Sequence, residues 1–141
     1  MAKNLGYNNM EFIQADLTEY TPNVRPDIVV SLHACDTATD MALGLGIRSQ
    51  SRAIVSVPCC HKDILKQYSY EPFEAITKHG ILKARLADTL TDGIRAVYTG
   101  RKNEKSRQDY ENLKEMLHVE PAIERFLRKK EGFKIEIDRC R

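Results

Sequence analysis

The sequence predicts an α/β fold built on a mostly parallel sheet. Two short apolar runs rich in β-branched residues, Ile28–Leu32 and Ala53–Val57, each lead into a polar turn. Such runs are typical of strands that are buried on both faces. A helical pattern follows each run, so the two turns should lie together at the carboxyl edge of the sheet. Ligands bind at that edge in open α/β sheets.

Length and composition indicate one domain, residues 1–141. No apolar run approaches the ~20 residues that span a membrane, and the N-terminal residues lack the apolar segment of a signal peptide. The four cysteines, two of them adjacent, do not form a disulfide framework. We therefore expect a cytoplasmic protein with reduced, metal-free thiols and no contact with a membrane.

The N-terminal segment is predicted to hold a last helical turn, one strand and a loop. Gly6 suits the position just after a helix end. Met10–Gln14 alternates apolar and polar residues, as a strand does. Thr18–Arg25 contains one proline and precedes another, which favours a loop.

A helix over about residues 38–47 should follow the first strand. Thr37 and Asp40 have the spacing of a capping box, in which each side chain bonds the backbone N–H of the other residue. Gly44 and Gly46 weaken the end of this helix by up to ~1 kcal/mol each.

The next part of the chain is predicted to be helical. One helical region, broken at Pro72, ends at Gly80, and a long helix spans about residues 81–99. That helix has an apolar stripe and a charged stripe. The charged stripe comprises Arg85, Asp88, Asp92 and Arg95. It is typical of a solvated ladder of ion pairs, although it is also compatible with charges that line a substrate entrance.

Residues 101–141 are expected to form a helical extension and a final strand. Residues 108–117 and 121–130 are predicted to be helices. Residues 133–138 alternate apolar and polar residues, which is typical of a strand with one face exposed to solvent. This third of the chain carries 12 basic and 9 acidic residues, against 10 and 11 in residues 1–100. The basic excess is compatible with RNA, but the interleaved acidic residues also fit a solvated helical surface.

The two strand-end turns supply the candidate catalytic residues. These are His33, Cys35, Asp36, Cys59, Cys60 and His61. A zinc site is disfavoured because there is no C-x-x-C spacing and adjacent cysteines should point to opposite sides. A cysteine beside a histidine can act as a thiolate nucleophile, as in enzymes that attack C6 of a pyrimidine. Cysteines at strand ends also pack simply as small apolar side chains.

Three blocks of sequence resemble one family. They read S-L-H-A-C-D-T-A-T-D-x-A-L, V-P-C-C-H and L-A-D-T-L-T-D-G-I-R-A, from Ser31, Val57 and Leu86 respectively. They are similar to a branch of the class I S-adenosylmethionine-dependent methyltransferases that includes the glutathione S-transferase C-terminal domain-containing proteins.

The resemblance implies a Rossmann-like methyltransferase sheet that lacks its first two strands. It implies that Asp16, flanked by Ala15 and Leu17, contacts the adenine of S-adenosylmethionine at the end of a third strand. It also implies that His33 and its turn face the methionine end of the cofactor, with the second turn as the adjoining wall. His33 or His61 would orient or deprotonate the methyl acceptor, for which RNA is our expectation.

The sequence departs from that family because it lacks the first strand with its turn and the second strand, whose acidic end binds the ribose of the cofactor. It has no glycine-rich turn after a strand, the element that supplies backbone donors to this cofactor in the family. We therefore expect weak or absent cofactor binding by the isolated chain. Either a homodimer or an N-terminal half on another chain would complete the sheet. The alternative is a non-catalytic α/β interaction module that keeps the fold without the cofactor site.

Overall fold

The computed structural model describes residues 2–100 and 104–128 and contains a small parallel sheet. Strands β1 (Ile28–Leu32) and β2 (Ala53–Val57) pair in parallel, with Leu32 opposite Val57. The predicted strands and their pairing are confirmed. Because the last residues of both strands are level, the two following turns begin side by side at one edge.

Helices account for most of the remaining described residues. They are α1 (Thr37–Arg48), α2 (Lys62–Gln67), α3 (Glu74–Thr77), α4 (Gly80–Gly100), α5 (Glu104–Leu117) and α6 (Ala122–Arg128). Short 3-10 turns occupy Ala2–Leu5 and Glu71–Phe73. Gly6 has a φ of 79°, which confirms its predicted place after a helical turn. The predicted final strand, residues 133–138, lies outside the described residues.

The predicted strand Met10–Gln14 is wrong, because these residues have no regular secondary structure. A strand needs neighbours to be stable, and this segment does not pair with β1. The chain that follows it is held to the end of α1 instead. The Arg48 guanidinium donates to the carbonyl of Leu17 at 2.9 Å.

The sheet has one covered face and one exposed face. Helix α1 packs against both strands, and on that face Ser31 is buried and Val29 and Ile54 are half-buried. The opposite face presents Val30 and Leu32, which are 59% and 63% exposed. The sequence predicts strands that are buried on both faces. This prediction is wrong for the described part of the chain, because no described residue covers the second face of the sheet.

The main core is helical. Its fully buried side chains come from α2, α4, α5 and α6 and include Ile64, Ala87, Ile94, Tyr110, Leu117 and Ile123. Helix α1 joins this core to the sheet by packing on α6 as well as on the strands. Its contact with β2 is close at Gly46, where a Cβ atom would lie 2.6 Å from Cγ1 of Ile54. Gly46 therefore lets helix and strand approach, at the cost in helix propensity that the sequence predicts.

Candidate functional site

The two strand-end turns meet, as the sequence predicts. The first turn contains two residues with positive φ, His33 at 54° and Asp36 at 57°, which is uncommon for residues other than glycine. The backbone N–H of Asp36 donates to the carbonyl of Cys60 at 3.0 Å. This hydrogen bond joins the β1–α1 turn directly to the β2–α2 turn.

Asp36 also uses its side chain to connect the turns. Its Oδ1 atom accepts from the backbone N–H of Lys62 at 3.0 Å and from that of Asp63 at 2.8 Å. It thereby satisfies two of the free N–H groups that begin α2. The predicted capping box at Thr37 is wrong, because no side chain caps α1. The hydroxyl of Thr39 instead donates to the carbonyl of Ala34.

A buried ion pair lies under the first turn. The Arg95 guanidinium donates from Nε to Oδ1 of Asp40 at 3.0 Å and from Nη2 to Oδ2 at 2.7 Å. Both side chains are less than 10% exposed. Nη2 also donates to the Asp36 carbonyl at 2.9 Å. Burial lowers the pKa of Arg95, but hydrogen bonding and attraction to Asp40 outweigh it, so the pKa lies above its usual value.

The interpretation of Arg95 as part of a solvated ladder is therefore wrong. The third sequence block contains Arg95, but its spacing of three residues from Asp92 favours only a local ion pair. Spacing alone did not show that Asp40, 55 residues earlier, is the partner. A pairing so distant in sequence depends on the tertiary fold.

His61 is clamped between two carboxylates of α4. Its Nδ1 lies 3.2 Å from Oδ1 of Asp88, and its Nε2 lies 3.0 Å from Oδ1 of Asp92. The His61 side chain is 8% exposed, whereas the two carboxylates are half-exposed. Both ring nitrogens are thus engaged, and His61 attaches the second turn to α4. Asp88, Asp92 and Arg95 of the charged stripe therefore contact the two turns, whereas Arg85 is exposed.

Three cysteine sulfurs converge above this scaffold. Cys35 Sγ lies 2.7 Å from Cys59 Sγ, which lies 3.8 Å from Cys60 Sγ. All three are free thiols. The expectation that the adjacent cysteines point to opposite sides is wrong, since their sulfurs share one cluster. The contact with Cys59 raises the pKa of the Cys35 thiol, and the contact with Cys60 opposes this rise.

The remaining candidates divide into exposed and displaced residues. His33 is exposed directly after β1, and its backbone carbonyl accepts from the Cys35 thiol at 3.5 Å. Asp16, with its neighbours Ala15 and Leu17, lies in a loop and not at a strand end. Oδ1 of Asp16 accepts from the N–H of Thr18 at 2.8 Å and from its hydroxyl at 2.7 Å, a local turn typical of aspartate.

A groove of about 310 Å³ runs beside the second turn, between α1, β2 and α4. Pro58, Asp92 and Arg95 contribute to its lining. Ser56 also lines it, with a buried hydroxyl that has no hydrogen-bond partner among the described residues. A polar group of a ligand would satisfy this hydroxyl. A larger groove, about 560 Å³, lies around Tyr68 and His118, away from the predicted site residues.

Comparison with known proteins finds a methyltransferase domain similar to the first part of the chain. Residues 1–67 match a family model described as a methyltransferase domain. The glutathione S-transferase C-terminal domain-containing proteins of Homo sapiens and Macaca fascicularis are each 40% identical over 57 residues. That region covers 40% of this chain and 8% of each relative, so the chain spans a small part of these proteins. No solved structure matches the chain.

In the described residues no helix is long and apolar enough to cross a membrane. The family match covers β1, α1, β2 and α2, and so includes both strand-end turns. The match supports a methyltransferase-like function for this segment.

Proposed function

We propose that this chain forms the acceptor-facing part of an S-adenosylmethionine-dependent methyltransferase with a Rossmann-like sheet. One observation carries the proposal: the segment that matches a methyltransferase domain is the segment that brings two reactive turns to one sheet edge. The carboxyl edge of a parallel sheet is where α/β enzymes bind their ligands.

The described residues do not form a complete cofactor site. None of the glycines in the sequence stands in a turn that directly follows β1 or β2. Asp16, which the resemblance assigns to the adenine, is not at a strand end. The donor pocket therefore requires residues that come from a longer chain or from a second chain, and we assign no step to the cofactor here.

His33 is our choice for the residue that contacts the methyl acceptor. It is exposed at the end of β1, whereas the ring of His61 is held on both sides by Asp88 and Asp92. A neutral imidazole at this position can accept a proton from an acceptor N–H or O–H. Asp36 and Arg95 would act indirectly, by fixing the turn that carries His33 and Cys35.

RNA is the proposed class of acceptor. The support is the basic excess of residues 101–141, with 12 Lys and Arg against 9 Asp and Glu. A segment with a positive net charge would attract the phosphate backbone and make binding depend on salt. The groove beside Ser56 would accommodate a polar group of the substrate.

The test is methyl transfer by a chimera. The segment of the human relative that precedes its 57 matched residues would be fused ahead of the corresponding residues here, and label would be followed from S-adenosylmethionine to total RNA. We expect labelled RNA, and at least about a hundredfold loss of label in His33→Ala, the lower end of what one acid–base group contributes. His118→Ala, outside the site, is the matched control.

A chimera that is folded, by circular dichroism, yet labels neither RNA nor protein would favour the non-catalytic interaction module. Label that enters protein only would support methyl transfer while rejecting RNA as the acceptor.

A further inference from the structure

The three cysteines of the strand-end turns are grouped closely enough to bind a metal ion. They come from both turns, Cys35 from the first and Cys59 and Cys60 from the second, and their sulfurs all lie within 4.8 Å of one another. The metal-free interpretation of the sequence depended on the missing C-x-x-C spacing and on adjacent cysteines that point apart. The structure places the sulfurs of Cys59 and Cys60 in one cluster with that of Cys35, so the second argument no longer holds.

The backbone beneath the sulfurs is fixed from several directions. Parallel pairing brings the ends of β1 and β2 level. The Asp36 N–H bonds the Cys60 carbonyl at 3.0 Å, and Arg95 bonds the Asp36 carbonyl at 2.9 Å. His61, next to Cys60, is attached to α4 through two carboxylates. Metal ligands held in this way need little rearrangement to bind an ion.

We propose that the thiolates of Cys35, Cys59 and Cys60 bind one Zn²⁺ ion, whose fourth position is open to solvent. This site lies in the same two turns as the proposed methyl transfer, but zinc binding does not depend on that activity.

The distances suit zinc after a small movement. A Zn–S bond of about 2.3 Å in a tetrahedron sets the sulfurs roughly 3.8 Å apart. Cys59 Sγ and Cys60 Sγ are already 3.8 Å apart. Cys35 Sγ, 2.7 Å from Cys59 Sγ, would move away by about 1 Å to reach that separation. Cys35 is exposed in its turn, so rotation of its side chain is sterically free on the solvent side.

The fourth position has no ligand among the described residues. The cluster contains three cysteines and no further Cys, His, Asp or Glu from the described ranges. His61 is adjacent in sequence, but both of its ring nitrogens are taken by Asp88 and Asp92. Three protein ligands with one open position are characteristic of zinc that binds water or a substrate, whereas closed four-ligand sites are structural.

Zinc content and cobalt spectroscopy test the proposal. The full chain would be purified under reducing conditions without chelator, analysed for zinc, then stripped and titrated with Zn²⁺ and with Co²⁺. We expect one zinc per chain and, with Co²⁺, the intense visible bands of a tetrahedral ion with thiolate charge transfer. Each of Cys35→Ser, Cys59→Ser and Cys60→Ser should weaken Zn²⁺ binding by more than about 100-fold, beyond the loss of an outer-shell partner.

Cys140→Ser is the matched control and should keep full zinc content. Circular dichroism of each variant separates loss of a ligand from loss of the fold. Reduced wild-type protein that takes up no Zn²⁺, or Cys59→Ser protein that binds it as tightly as the wild type, would overturn the proposal. Loss of zinc in folded Cys140→Ser would also overturn it, because the fourth position would then be a protein ligand.

Discussion

Arg95 shows how single residues determine the geometry of this site. Its guanidinium bonds both oxygens of Asp40 on α1 and the carbonyl of Asp36 in the first turn. One side chain of α4 therefore fixes the start of α1 and the turn before it. A planar guanidinium can donate two parallel hydrogen bonds to one carboxylate, which the ammonium group of lysine cannot do.

Removal of this guanidinium should destabilise the protein strongly. Loss of one partner of a buried ion pair leaves the other charge without compensation, which costs about 3–5 kcal/mol. We expect Arg95→Met to lower the free energy of unfolding in urea by that amount, and Arg95→Lys to fall between Met and the wild type. The control is Arg85→Met, an exposed arginine of the same helix, which should change stability by less than about 0.5 kcal/mol. Equal effects at the two positions would contradict the assigned role of Arg95.

Tyr68 provides a test that depends on pH. Burial raises the pKa of its hydroxyl above the ordinary value of a tyrosine, and the hydroxyl donates to the Lys83 carbonyl at 3.0 Å. The folded state therefore holds this proton more tightly than the unfolded state does. The resulting stability is complete below the unfolded pKa and is lost as pH rises through the folded pKa. Ultraviolet titration should show a late tyrosine step that Tyr68→Phe removes. A Tyr68→Phe curve with the same late step would refute this.

At this scale, residue types were easier to predict than partners. The strand ends identified His33, Cys35 and Cys59 as neighbours because parallel strands share an edge. The partners of Asp36, Asp40 and Arg95 depend on how helices pack, which local spacing does not encode. Aspartate commonly caps the helix that follows it. Asp36 directly precedes α1, but its side chain bonds the first N–H groups of α2 instead.

Among the secondary-structure elements, those with strong periodicity were predicted well. β1, β2 and α4 have repeating apolar patterns and lie where the sequence places them. Met10–Gln14 has an equally regular pattern and the same length as β1 and β2, but it pairs with neither of them, and a strand requires a partner. Helix α5 begins at Glu104 instead of Gln108, since its polar first turn carries little apolar signal.

The contact between α1 and β2 predicts opposite effects for two glycines. A Cβ atom at position 46 would clash with Ile54, whereas one at position 93 in α4 meets nothing within 4 Å. We expect Gly46→Ala to destabilise the protein by about 1–3 kcal/mol through overpacking. The higher helix propensity of alanine offsets part of this loss. Gly93→Ala should stabilise by up to ~1 kcal/mol from that propensity alone. Thermal melts of the two variants measure this, and a more stable Gly46→Ala would contradict the close approach of α1 and β2.

For the whole molecule, the notable feature is the uncovered face of the sheet. Ile28, Val30, Leu32, Val55 and Val57 are each about half exposed or more, and β1 has a free edge among the described residues. An apolar face beside an unpaired edge favours association. We propose that a second copy of the chain covers it in a two-fold dimer.

A charged substitution on the exposed face of the sheet tests the dimer. Light scattering at low micromolar concentration should give twice the chain mass for the wild type, and Val30→Lys should give a folded monomer. Val24→Lys, at a 79% exposed residue outside the strands, should remain dimeric. A wild-type monomer with a cooperative melt would exclude the dimer.

Calorimetry with S-adenosylmethionine tests most directly the central claim, that this chain carries one part of a methyltransferase site. The isolated chain and the chimera with the preceding segment of the human relative would be titrated side by side. We predict no heat from the isolated chain at micromolar concentrations and a one-site isotherm from the chimera. A clear isotherm from the isolated chain would show that the described turns bind the cofactor without the glycine-rich element. The absence of binding heat from a folded chimera would contradict the methyltransferase assignment itself.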